Sequence, residues 1–299
     1  MSTRKSWRRV DGVLLLDKPT GMSSNAALQA ARRLFGAAKA GHTGTLDPLA
    51  SGLLPLCFGA ATRFSVDLLA ADKTYECEVV FGVCTDTGDS DGEVVMRCPV
   101  DFGLAELEAG LARFRGTIRQ VPPMYSALKR NGRPLYELAR RGIEVERTAR
   151  TVTIHELRLL DYSGDRCRLR VACSKGTYVR SLAEDLGDAL GGCAHLGALR
   201  RLAVGPLRIA DAVSLDALAA QDEEGRQAWL LAPDALLQSL PAVWLEVGEG
   251  QRFVHGNPVS IGVTSAGAGR CRVYAGERLL GLGEVDAVGT LQPRRVIGA

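Results

Sequence analysis

The stretch RCRLRVACSKGTYVRSLAEDLG, residues 166–187, changes its period half-way along. From Arg166 to Val171 charged and apolar side chains alternate, which is the period of a half-buried strand. After Gly176 the apolar positions are Val179, Leu182, Ala183, Leu186 and Leu190, a helical stripe that Thr177 is placed to cap. A strand running into a helix recurs elsewhere. GVLLLDK (12–18) reads as a buried strand closed by Pro19 and Gly21, and Ser23 or Ser24 then caps a helix. That helix carries Ala27, Leu28, Ala31, Leu34 and Phe35 on one face and ends at Gly36.

From Tyr75 the pattern alternates again, with Tyr75, Cys77, Val79 and Phe81 on one side and Glu76 and Glu78 on the other. Leu104, Leu107, Leu111 and Phe114 have helical spacing, and Pro134 and Gly142 bracket a short helix. The regular strand–helix repeat of a doubly wound sheet is missing. The expected class is α+β, with a mixed, largely antiparallel sheet. Asp222-Glu223-Glu224 and Pro241 suggest a linker region, beyond which the chain is glycine-rich with alternating runs at 243–247 and 270–274. The expected division is a basic, disordered leader (1–10), a main domain (11–240) and a small β module (241–299).

The leader MSTRKSWRR carries +4 of a net charge of +3, so the rest of the chain sums to −1. Any nucleic-acid surface must therefore be a local patch. The apolar run 13–16 is too short for a signal peptide, and no stretch approaches the roughly 18–20 apolar residues of a membrane span. A cytoplasmic protein is expected. The eight cysteines form no CxxC and no regular framework, and Cys77, Cys167 and Cys173 fall at apolar strand positions, so reduced core thiols are expected. The four histidines are far apart, which argues against zinc. Gly267-Ala268-Gly269 has Arg272 where a dinucleotide fingerprint needs glycine, and TDTGDSDG (85–92) misaligns as a calcium loop and reads as a polar turn.

GHTGTLDPLASGLL (41–54) holds a single carboxylate, Asp47, ahead of proline and among leucines and glycines. Desolvation raises a carboxylate's pKa and a nearby cation lowers it, and an ionised, partly dry carboxylate is a good nucleophile or base. Capping a turn is the plainer duty of an Asp-Pro pair, and spacing alone does not choose between them.

This segment joins GVLLLDKPTGMSS, DKTYECEV, VPPMYSALKRNGRPLYELARRG and CSKGTYVRSLAEDLG in one order. Together the five blocks resemble the bacterial tRNA pseudouridine synthases of the TruB type, from about residue 11 to the C-terminal LQPRRV. The departures, such as Thr45 and Ser51, are conservative. The resemblance implies the pseudouridine synthase fold with a PUA-like C-terminal domain, and isomerisation of uridine 55 in the T-arm of tRNA. That reaction adds and removes nothing, so it calls for no cofactor and no metal. The resemblance further implies that Asp47 is the catalytic aspartate, that Tyr75 stacks on the uracil and that Arg180 pairs with the aspartate. Tyr178 and Leu199 would line the uridine pocket, and His42 would fill the space left by the extruded nucleotide. Asp89 and Lys175 fall in matching blocks and are further possible RNA contacts.

The cations Arg166, Arg168 and Arg170 lie in a row on one strand face, while Lys129, Arg130 and Arg133 crowd a hairpin. With Arg140, Arg141, Arg200 and Arg201 they are the candidate phosphate contacts, which position RNA without reading its sequence. The expected partner is tRNA alone, bound by a monomer with no membrane and no protein partner. Two other classes stay open: a tRNA-binding folding helper indifferent to Asp47, and an RNA-directed glycosidase that releases uracil. Whether the RNA keeps its mass separates isomerisation from base release.

Overall fold

The apolar run at the start of the chain becomes the strand Gly12–Lys18. Val13 and Leu15 enter one core cluster and Leu14 and Leu16 another, none more than 3% exposed. An uninterrupted apolar run is what a strand covered on both faces requires. In the computed structural model, which describes residues 7–130, 132–262 and 267–297, this strand lies in an eleven-stranded sheet. Its main path runs Val213–Ser214, Gly12–Lys18, Ser51–Phe58, Ala194–Val204, Lys73–Phe81, Arg166–Cys173, Arg150–Tyr162, Gly116–Gln120. Along that path the pairings of Gly12–Lys18 with Val213–Ser214 and of Ala194–Val204 with Ser51–Phe58 are parallel, and the others are antiparallel. The α+β class with a largely antiparallel sheet is what the chain adopts.

On one face of the sheet Cys77, Val79, Phe81, Leu169 and Val171 pack against the helices Leu104–Ala112 and Val179–Ala189. Each fully buried leucine there contributes about 1.5–3 kcal/mol relative to exposure. Side chains alternate across a strand, so Glu76, Glu78, Arg166, Arg168 and Arg170 share the other face. Arg166 pairs with Glu78 at 2.8 Å, and Arg168 and Arg170 approach Glu76 at 3.9 and 4.0 Å. The row of arginines is thus a cross-strand lattice of exposed ion pairs, on the side away from Tyr75. Arg168, an RNA-contact candidate, is exposed there beside Glu76.

The helix Ser24–Phe35 is capped as its sequence requires: the Ser23 hydroxyl accepts from Ala26 N at 3.1 Å, and Gly36 adopts φ 62°. Other expectations are corrected. Thr177 does not cap Val179–Ala189; its hydroxyl donates back to Ser174 O and Tyr178 takes the cap position. Asp222 caps a helix, Glu223–Gln227, and Arg226 on that helix donates to Leu34 O and Leu218 O, so the acidic run belongs to the main domain and is no linker. Trp7 and Arg8 are placed, with Arg32 over the Trp7 ring and Arg8 Nε donating to Phe35 O, and Val10 is buried. The disordered leader therefore does not extend through 7–10, and residues 1–6 lie outside the described residues.

Asp185, on the helix Val179–Ala189, is pushed up to about 6 by burial and then by Asp188. A carboxyl whose folded pKa exceeds its unfolded one favours the fold only when protonated, so its ionisation removes stability as the pH rises from about 4 to 6. Asp185→Asn is expected to raise the melting temperature at pH 7–8, and the gain should vanish as the pH falls toward 4. Paired thermal melts across that range check it.

The C-terminal unit is a five-stranded sheet, Ala242–Trp244, Gly269–Ala275, Arg278–Val285, Thr290–Val296 and Val259–Ser260, around Phe253 of the helix Val247–Val254. Val247 was expected in a strand; it opens that helix and stands exposed. Asp67 of the main domain receives Arg270 and, at 3.0 Å, Arg295. Tyr274 Oη donates to Asp234 at 2.6 Å. Among the described residues no helix is long and apolar enough to cross a membrane.

Candidate active site

Asp47 lies between the paired strands Ala40–His42 and Ser51–Phe58. Its loop is tied down on both sides. Ser24 Oγ donates to Leu46 O at 2.8 Å and accepts from Leu46 N at 2.7 Å, while Gly21 N donates to Pro48 O at 2.8 Å. Ala50 N closes the turn onto Asp47 O at 3.1 Å. Ser24 and Leu46 are buried, yet the Asp47 side chain remains 42% exposed. Gly52 lets the returning strand pass Arg201: it has φ 100°, and a Cβ there would lie 2.3 Å from Arg201 O. Ser24→Ala would strand both polar groups of Leu46, a loss of about 1–3 kcal/mol. Its expected signature is a lower melting temperature with a kcat reduction larger than any change in KM.

Arg180 sits in the first turn of Val179–Ala189, 6% exposed, and every edge of its guanidinium is occupied. Nη2 lies 3.0 Å from Asp47 Oδ2 and donates to Tyr125 O at 2.6 Å. Nη1 donates to Thr87 O at 2.9 Å, and Nε is 3.6 Å from Asp89 Oδ2. The start of this helix is fixed by Gln120, 2% exposed, whose amide accepts from Tyr178 N at 2.8 Å and donates to Tyr178 O at 3.0 Å.

Asp89 is itself 5% exposed, and its Oδ1 accepts from Thr87 Oγ1 and Asp91 N. The polar turn 85–92 is thus part of the site. It is anchored by Leu196 N donating to Gly88 O and Ser90 N donating to Leu196 O. This is a correction for Asp89, whose buried carboxylate faces Arg180 and cannot be a surface RNA contact.

Burial raises the Asp47 carboxyl; Arg180 opposes this and Asp89 reinforces it. Tyr75 and Leu199 both pack at the seam of two core clusters beside the aspartate loop. Burial raises the Tyr75 phenol against the pull of Arg201, and burial raises that of Tyr178. His42 is half-buried, and burial followed by the charge of Arg201 lowers its pKa, leaving it neutral at pH 7. Asp47, Tyr75, Tyr178, Arg180, Leu199 and His42 therefore lie around one site.

Arg201 corrects another expectation. It is 2% exposed, Nε donates to Leu53 O at 2.7 Å, and Nη1 and Nη2 reach Thr45 O and Gly44 O at 3.5 Å. It is a cation beneath the aspartate loop, out of reach of a phosphate. Sequence reasoning passed over Lys18, which is fully buried and donates to Pro19 O at 2.8 Å and Met22 O at 2.6 Å. Burial lowers it to about 8, with Asp47 pulling the other way. The one signal for it was a lysine ending an apolar strand before Pro-x-Gly. The reciprocal bonds of Ser24 and Gln120 left no pattern to read.

Residues 32–179 match the TruB family pseudouridylate synthase N-terminal domain, 180–240 the tRNA pseudouridylate synthase B C-terminal domain, and 241–297 the pseudouridine synthase II TruB C-terminal domain. The chain is 60% identical over 298 residues to tRNA pseudouridine synthase B of Dechloromonas aromatica (strain RCB), covering 99% of both chains. It belongs to the TruB family of pseudouridylate synthases.

A second relative of this TruB chain, tRNA pseudouridine synthase B of Azoarcus sp. (strain BH72), is 56% identical, covering 98% of this chain and 97% of its own. The fold of the present chain is similar to that of a chain in the solved Cbf5–Nop10–Gar1 complex, with a TM-score of 0.73 at 24% identity, covering 98% of this chain and 85% of that one. Members of the TruB family are isomerases that form pseudouridine in tRNA. Of the remaining RNA-contact candidates in this TruB chain, Lys129, Arg130, Arg141 and Lys175 are all exposed. Lys129 and Arg130 pair with Arg133-Pro134 in a hairpin of the segment whose Tyr125 carbonyl holds Arg180, and Lys175 lies three residues before Tyr178. Arg200 is engaged with Asp17 at 2.7 Å.

Proposed function

We propose that this enzyme isomerises uridine 55 in the T-arm of tRNA, with Asp47 as its catalytic residue. The observation that carries this reading is an accessible carboxylate, Asp47, clamped by a buried guanidinium beside an aromatic–aliphatic pair. The target uridine leaves the stack, and its ring enters between Tyr75 and Leu199 with Tyr178 at its edge and His42 in the space it vacates. Arg180 favours the ionised form of Asp47 against the burial that raises its carboxyl. Asp47 then acts at the sugar or base; the bond from C1′ to N1 breaks, the uracil turns, C1′ bonds to C5, the C5 hydrogen is lost to water, and N1 takes up a proton, so the mass is unchanged. A glycosidase needs two acids flanking the bond, whereas Asp89 is buried and committed to Arg180, Thr87 and Asp91.

Lys129, Arg130, Arg141 and Lys175 meet phosphates of the T-arm, which is recognised by loop shape more than by duplex sequence. Residues 241–299 act as a PUA-like second grip. The enzyme works in the cytoplasm as a monomer without a protein partner. The test is to incubate an unmodified tRNA transcript with the protein, map pseudouridines by carbodiimide adducts and weigh the RNA. One adduct site at position 55 with unchanged mass supports the reading; an abasic product or an unmodified T-loop refutes it.

A further inference from the structure

Three thiols from three segments converge away from the active site. Cys84 is in the strand Val83–Thr85, Cys98 follows the strand Val94–Arg97, and Cys193 immediately precedes Ala194–Val204. Cys98 Sγ lies 2.8 Å from Cys193 Sγ, and Cys84 lies against Cys193 as well. The backbone holds the close pair in register across Gly82, whose carbonyl accepts from Cys98 N at 3.0 Å and whose N–H donates to Cys193 O at 2.8 Å. Cys98 is half-buried and Cys193 is 1% exposed. The other buried thiols, Cys57, Cys77, Cys167, Cys173 and Cys271, sit singly or together inside the hydrophobic clusters.

We infer that Cys98 and Cys193 form an oxidisable dithiol, a modification site for peroxides that closes to a disulfide and is reopened by a dithiol reductant. A disulfide needs sulfurs about 2.05 Å apart, so the pair at 2.8 Å has only a short approach left to make. The order of events follows from access. Burial pushes Cys193 up to about 12 and keeps its proton on, so the half-buried Cys98 meets the oxidant first. The Cys98 sulfur attacks one peroxide oxygen; an S–O bond forms, the O–O bond breaks, and the departing hydroxide takes a proton to become water. The Cys193 sulfur then attacks the Cys98 sulfur. The S–S bond forms, the S–O bond breaks, and the Cys193 proton leaves with the hydroxide as a second water. Two electrons pass from the two thiols to the peroxide.

The bridge would span 95 positions of the chain. It would fix the start of the strand whose Leu196 anchors the Asp89 turn. Because the sulfurs already meet in the reduced enzyme, the site is reached without loss of the fold, and Cys98→Ser should keep the basal activity.

The test treats the reduced full-length protein with a few equivalents of hydrogen peroxide, alkylates it and digests it without reduction. Free thiols should fall from eight to six, and one peptide pair joining Cys98 to Cys193 should appear, lighter by two hydrogens and cleaved by dithiothreitol. In Cys98→Ser the thiol count should stay at its starting value. If that variant fails to fold, the wild-type cross-linked peptide decides alone. Eight surviving thiols, oxygen adducts on Cys98 without a cross-link, or a bridge involving any other cysteine would overturn the inference.

Discussion

Arg180→Met is expected to abolish turnover and to lower the melting temperature by on the order of 10 °C. The guanidinium is the one group that serves Asp47, Asp89, Thr87 O and Tyr125 O together. Removing it leaves Asp89, a carboxylate with a 6% exposed side chain, facing an apolar methionine. Breaking a buried pair by deleting one partner costs about 3–5 kcal/mol. Lysine is a poor substitute, because one ammonium cannot reproduce the planar set of donors. The ion-pair explanation makes a sharper demand on the double variant. Adding Asp89→Asn to Arg180→Met removes the uncompensated charge and should restore part of the melting temperature while leaving turnover absent. A double variant no more stable than the single one would mean that the loss comes from packing and not from charge.

Asp47→Asn is expected to reduce turnover by at least about 10⁴-fold, in line with the removal of a group that performs the chemistry. The substitution keeps the side chain's shape and an oxygen for Arg180 to donate to, so tRNA affinity should change no more than a few-fold. Stability should not fall. Burial raises the Asp47 carboxyl above its ordinary range despite Arg180. A raised folded pKa means that the ionised form is disfavoured by folding, so the neutral variant should melt at the same temperature or higher near pH 7, with the difference shrinking as the pH drops. High stability, intact binding and lost turnover together separate a chemical role for Asp47 from a turn-capping one. A turn cap would show the reverse pattern, with a lower melting temperature and partial activity.

Local periodicity made the fold readable. The alternation at Tyr75, Cys77, Val79 and Phe81 and the stripe at Val179, Leu182, Ala183 and Leu186 each register one buried face, and both faces lie where their periods put them. Ser23 and Gly36 bracket their helix because capping is a local property. What was not legible needed information from distant strands. Arg201 alternates like a surface arginine, but parallel pairing with Gly52 buries it beneath the aspartate loop. Arg168 does face solvent, yet Glu76 on the neighbouring strand stands beside it. Asp89 reads as one acid among several in a turn, and Arg180, 91 positions later, makes it a buried partner. Lys18 is visible only once Pro19 and Met22 fold their carbonyls over its ammonium. In each case a charge was legible and its partner was not.

The central claim is that Asp47 drives the exchange of a glycosidic nitrogen for carbon at one uridine in tRNA. A tRNA transcript carrying tritium at C5 of uridine tests it most directly, because C5 gives up its hydrogen when it bonds to the ribose. The wild-type enzyme should release close to one equivalent of tritium per tRNA to water, and Asp47→Asn, binding the same RNA, should release none. Equal release by the two proteins would contradict the assignment of Asp47. No release by the wild type from a folded tRNA that it binds would contradict the proposed isomerisation of that tRNA.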